Sequence, residues 1–66
     1  MRPDLRLSCE NRVADIYDRR THFTIEQYQN NLWQAVRTAR TLEEAKVVAE
    51  NYINEVEKPI LLKEKV

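Results

Sequence analysis

The sequence predicts an all-α fold, a single domain over residues 1–66 built from three short helices and working as a dimer. Three observations predict it: two helix-start signatures, apolar residues recurring at steps of three and four, and a complete absence of glycine. Tight hairpins commonly rely on glycine to reach a left-handed backbone. A chain without it is expected to change direction at helix caps instead.

The first helix is expected over about 9–20. Ser8 stands as its cap, and Cys9, Val13, Ile16 and Tyr17 share one face. Asp15 and Arg19 stand four apart on the polar side and can pair, for about 0.2–0.5 kcal/mol. Thr21-His22 then connects to the next element.

The second helix is expected over about 25–39. In Phe23-Thr24-Ile25-Glu26-Gln27-Tyr28, Thr24 can accept the N–H three residues on while Gln27 reaches back to the N–H of Thr24. Phe23 and Tyr28 supply the hydrophobic staple of such a box. Ile25, Tyr28, Leu32, Val36 and Ala39 then make a helical stripe.

The third helix is expected over about 42–57. Thr41 caps it and Glu44 answers three residues later, while Glu43 and Glu44 suit the positive end of the helix dipole. Leu42, Ala45, Ala49, Tyr52 and Val56 form its stripe, which Val48 and Ile53 widen. Lys58-Pro59 stops it, because a residue before proline avoids the helical region. The flanks Leu5-Arg6-Leu7 and Pro59-Ile60-Leu61-Leu62 read as extended apolar arms.

Composition narrows the function. A chain of 66 residues buries only about 60% of its unfolded surface, so its core supplies about 3–5 kcal/mol and a further staple is expected. One cysteine excludes an internal disulfide, and one histidine without partners excludes a zinc site. Association with a second copy is the staple left. No apolar run reaches the length of a membrane span, and no secretory signal is read at the start, so a cytoplasmic location is expected. All seven arginines fall in residues 1–40, against five acids, and all four lysines in 41–66, against six, within a net charge of zero.

Catalysis finds little footing. His22 falls in an expected turn, Cys9 on an apolar helix face, and Asp15/Asp18 and Glu43/Glu44 on solvated faces. No glycine loop can cradle a phosphate. The reading is a non-enzyme with no cofactor, no metal and no small-molecule substrate.

Two binding surfaces remain. Trp33 stands about 100° from the apolar stripe of its expected helix, and with Arg37, Arg40, Arg19 and Arg20 it makes a candidate partner-binding set, since tryptophan and arginine dominate interface hot spots. Leu42, Ala45, Val48, Ala49, Tyr52, Ile53 and Val56 make a candidate self-association stripe, the alanines allowing close helix approach. The expected partner is another protein. The alternative is a helix-turn-helix-like DNA regulator using the arginines, with Trp33 stacking on a base. In it the third helix, with five glutamates against Lys46, is too acidic to face phosphates.

The segments MRPDLRLSCENRVADIYDRR and HFTIEQYQNNLWQAVRTARTLEEAKVVAE resemble the small accessory proteins of temperate bacteriophages, in particular the short open-reading-frame products of the exo–xis region in lambdoid phages. That resemblance implies a small, largely helical regulator that modulates host or phage development.

Overall fold

The chain reverses direction far more often than three helices would allow. The structure, a computed structural model, describes residues 2–54 as four strands and one helix: β1 (Leu5–Cys9), β2 (Arg12–Asp18), β3 (Phe23–Gln29), β4 (Leu32–Ala39) and α1 (Leu42–Ile53). The strands pair antiparallel with their sequence neighbours in the order β1-β2-β3-β4. The domain is α+β. The all-α expectation, its helical bundle, and its helices over 9–20 and 25–39 are therefore overturned, and with them the helix-turn-helix outline.

The reversals that overturn them need no glycine. Asn30 and Asn31 both sit in the left-handed region, at φ 54° and 67°. A two-residue hairpin of the I′ kind demands positive φ at both positions, and asparagine tolerates it better than any other non-glycine residue. Glu10, at φ 57°, opens the equally short reversal Glu10-Asn11. The two turns lie side by side at one end of the sheet. Asn11 Nδ2 donates to Asn30 Oδ1 at 3.1 Å, and the Asn30 N–H donates to the Asn11 carbonyl at 2.8 Å.

The stripe from Ile25 to Ala39 fits a helical period by coincidence. The strands turn Ile25 and Ala39 into the core, while Tyr28 and Val36 belong to the opposite face. The apparent capping box at Thr24 and Gln27 lies wholly inside β3, with Gln27 only 2% exposed. Phe23 and Tyr28, its supposed staple, stand on opposite faces of that strand. Leu5-Arg6-Leu7 is extended as expected, but as the edge strand β1.

The expected third helix is present. Thr41 Oγ1 accepts from the Glu44 N–H at 3.1 Å, and Glu44 Oε1 accepts from the Arg40 N–H at 3.1 Å. The reciprocal bond thus reaches one residue before the cap. Within the described residues α1 ends at Ile53, where the Asn54 N–H donates to the Glu50 carbonyl. The expected helical residues 55–57, the Lys58-Pro59 stop and the apolar arm 59–62 lie outside the described residues.

One layer of sheet and one helix enclose a core of Ala14, Ile16, Ile25, Ala39, Ala45, Ala49 and Tyr52. Ile16 and Ile25 are cross-strand partners and both fully buried. Ala45, Ala49 and Tyr52 recur at steps of four and three along α1, so one face of the helix closes over them. Tyr52 pegs the contact: its Oη donates to the Tyr28 carbonyl at 3.1 Å. Arg12 lies over the Tyr52 ring at 4.8 Å, and its Nη1 donates to the Tyr52 carbonyl at 3.0 Å. The last turn of α1 has no basic residue of its own, so Arg12 supplies the cation that its carbonyl end favours.

Because Ala49 is fully buried against the sheet, Ala49→Leu is expected to overpack the layer and destabilise the domain by about 1–3 kcal/mol. Urea unfolding followed by circular dichroism measures it; an unchanged midpoint would show that the helix does not lie this close.

Candidate functional site: the open face of the sheet

With α1 on one side, the other side of the sheet is left uncovered by any described element, and the register fixes what it displays. Arg6, Asp15, Glu26 and Val36 form one row across the four strands. Ser8, Val13, Tyr28 and Trp33 form the next, and Tyr17, Thr24 and Thr38 a third. A shift in register between Gln27 and Tyr28 inserts Gln34 into β4, and this brings Trp33 directly opposite Tyr28.

The first row sets two carboxylates, Asp15 and Glu26, opposite one another, an arrangement that repels. Each is answered by a neighbour. Asp15 is 2% exposed and accepts two bonds from Arg6, Nε to Oδ1 at 2.7 Å and Nη2 to Oδ2 at 3.0 Å. This forked pairing raises the Arg6 pKa, through the hydrogen bond and then the charge of Asp15. Glu26 Oε1 accepts from the Tyr28 hydroxyl at 2.8 Å. That bond, with burial and the Glu26 charge, pushes the Tyr28 pKa up to about 12. Burial and then Glu26 raise the Tyr17 pKa too.

Around these pairs lies a shallow concavity of about 370 Å³, lined in part by Arg6, Val13, Asp15, Tyr17 and Tyr28. Trp33 and Val36 extend the surface onto β4, 58% and 48% exposed. At the other end Arg19 lies over the Tyr17 ring at 4.6 Å and donates from Nε to Thr24 Oγ1 at 3.0 Å. Two arginines and two carboxylates therefore balance within a patch of tyrosine, tryptophan and valine.

The candidate partner-binding residues do not gather in one place. Trp33 sits beside the Asn30-Asn31 turn, whereas Arg19, Arg20 and Arg40 lie toward the opposite end of the sheet. Arg20, at φ 79°, is held in the β2–β3 loop by its N–H to Asp18 Oδ1 at 2.7 Å. Arg37 pairs in register with Ile25 and so belongs to the helix side of β4. Only Trp33 and Arg19 reach the open face. Of the self-association stripe, Ala45, Ala49 and Tyr52 are spent on the domain's own core, with Val48 and Ile53 packed against it. Leu42 is 43% exposed, and Val56 lies outside the described residues.

Two other expectations are corrected. Cys9 is exposed at the end of β1, and Asp15 is buried on Arg6, not solvated or paired with Arg19. His22 Nδ1 lies 2.9 Å from Thr21 Oγ1, beyond the other end of the sheet from Cys9. Among the described residues no three His, Cys, Asp or Glu side chains gather as a metal site would need, and no helix is long and apolar enough to cross a membrane. Sequence reasoning missed Arg6, Asp15, Glu26, Tyr17 and Tyr28 as a group. The signal that could have found them is Asn30-Asn31, which turns one long stripe into two facing strands.

Compared with protein families, curated proteins and solved structures, the chain matches none.

The pKa directions set a pH window. The folded Tyr28 pKa lies near 12, above the ordinary 10, so its contribution is whole below pH 10 and is lost as pH rises from 10 to about 12. Titrating tyrosinate absorbance should show Tyr28 ionising latest, with Tyr17 also late, and Glu26→Gln should bring the Tyr28 ionisation down toward 10. A late step untouched by Glu26→Gln would mean that the Glu26 contact is not its cause.

Proposed function

We propose that this chain is a non-catalytic binding module whose open sheet face docks a protein partner. The observation that carries the reading is the apolar and aromatic patch on one layer in which Trp33 and Val36 are exposed beside the half-buried Val13, Tyr17 and Tyr28. Aromatic anchors around a few fixed polar groups are what protein interfaces concentrate at their centres. The face is pre-organised, since the Arg6–Asp15 fork and the Tyr28–Glu26 bond hold its polar groups in place before any partner arrives.

Charge favours protein over nucleic acid. A phosphate backbone is held by a surplus of lysine and arginine. On this face Arg6 is engaged by Asp15, and Glu26 offsets Arg19. Catalysis is disfavoured because the exposed thiol of Cys9 and the ring of His22 stand at opposite ends of the sheet, too far apart to act together. The sequence's resemblance to accessory proteins of temperate phages suggests a regulatory protein of the host or phage as the partner, although the largely helical fold that it implies is replaced here by a sheet.

Affinity capture from a bacterial lysate with and without nuclease tests this reading. A protein partner should survive nuclease and be lost with Trp33→Ala, at an affinity cost of at least about 2 kcal/mol. Retention by Trp33→Ala together with loss on replacing Arg19, Arg20, Arg37 and Arg40, or on adding nuclease, would move the assignment to nucleic acid.

A further inference from the structure

On the helix side of the sheet, α1 and the edge strand β1 leave a groove between them. Ala45, Ala49 and Tyr52 aim α1 at the core over β2 and β3. Leu42, Lys46 and Ile53 lie further round the helix, at steps of four and seven, on the side turned to β1. Across from them stand Leu5 and Cys9, on the same face of β1 as the partly buried Leu7. A hollow marks each end of the groove. One, of about 340 Å³, opens beside Cys9 and Ile53, where α1 ends. The other, of about 310 Å³, lies at the start of α1 and is lined by Leu5, Phe23 and Leu42 together with Asp4, Asp18 and Lys46. Leu5 and Leu42 are still 36% and 43% exposed there. The core they border is thin, four of its seven residues being alanine.

The sequence that follows Asn54 reads EVEKPILLKEKV, an apolar run from Pro59 to Leu62 with Lys63-Glu64-Lys65 behind it. We propose that Ile60, Leu61 and Leu62 dock in the α1–β1 groove of their own chain, running back antiparallel to α1, with Leu61 and Leu62 in the hollow beside Phe23 and Leu42.

Reach, charge and attachment select this occupant. The 12 residues of α1 span about 18 Å. The chain leaves the helix at the Cys9 end of the groove, and the stretch from Asn54 to Leu62 extends to about 26 Å, enough to turn back and reach the far hollow. At that hollow two acids, Asp4 and Asp18, stand with one lysine, Lys46, and behind Leu62 two lysines stand with one glutamate. The surplus charges are opposite, so the segment that brings leucines to the hollow also brings the cations that suit it. A short tether holds the segment at an effective concentration of about millimolar, which the same segment of a free second copy would have to exceed to displace it. The open sheet face lies on the other side of the layer and keeps Trp33 and Tyr28 uncovered by this docking.

Nuclear Overhauser spectra of the methyl-labelled full chain test the proposal. The Leu61 and Leu62 methyls should contact the Phe23 ring and the Leu42 methyls, and a mixture of labelled with unlabelled chains should show no such contact between copies. Leu42→Asp places an acid in the first turn of α1, where the helix dipole favours it, so the domain should stay folded while those contacts are lost. Replacing both leucines, Leu61→Asp with Leu62→Asp, should lower the folding equilibrium constant at least about tenfold. Val66→Asp should leave that constant within about twofold. If the double variant does not fold, the wild-type contacts still decide. Absent contacts, contacts only between copies, contacts with Trp33 or Val36 instead, contacts unmoved by Leu42→Asp, or a double variant as stable as the wild type would each overturn the proposal. Loss of a captured partner in Trp33→Ala with these contacts intact concerns the open face alone.

Discussion

With Ala45 and Ala49 turned to the sheet, α1 lies near enough over β2 and β3 to shut Ile16 and Ile25 away from solvent. Larger side chains at those positions would lift the helix and open a gap that too few other apolar residues could fill. Tyr52 then fixes the height and the register together, because its hydroxyl reaches the Tyr28 carbonyl while Arg12 holds its own carbonyl. Tyr28 is thereby shared between two layers. Its backbone answers the helix and its side chain holds Glu26 on the far face. The open face is only as well ordered as the helix contact behind it.

That face solves a problem set by strand pairing itself. Placing Asp15 opposite Glu26 would cost stability if both carboxylates were left to repel. Arg6 engages one from the outer strand and Tyr28 the other from its own strand, so the charges are held in place without neutralising the row. What solvent or a partner meets is a set of aromatic and aliphatic groups around anchored polar ones. Among the described residues it presents no lysine, whose flexible side chain costs entropy on binding.

The helix α1 was legible because its signals are local: a threonine cap, acids in the first turn and a stripe of small and apolar residues. The strands were not, for two physical reasons. Val13, Ala14, Ile16 and Tyr17 put apolar groups on both faces of β2, which blurs the two-residue alternation that marks a half-buried strand. In β3 the buried position of Gln27 breaks the alternation again. With that signal gone, a coincidental stripe from Ile25 to Ala39 dominated. The absence of glycine does not forbid a tight hairpin, because Asn30-Asn31 performs the same turn. Trp33 is exposed, but the surface it joins is made of tertiary neighbours that helical spacing cannot bring together.

The neighbour-to-neighbour order of the sheet also governs how the domain comes into being. Each strand needs only the one just before it, through links of two to four residues, so every ladder closes a short loop and the entropy of closure stays small. The helix comes after all four strands. A chain emerging from the ribosome can therefore complete its meander while Ile16 and Ile25 still face water. The vulnerable interval, in which the half-made domain shows its greasiest side to chaperones and to its own copies, lasts until residues 42–53 arrive to close it.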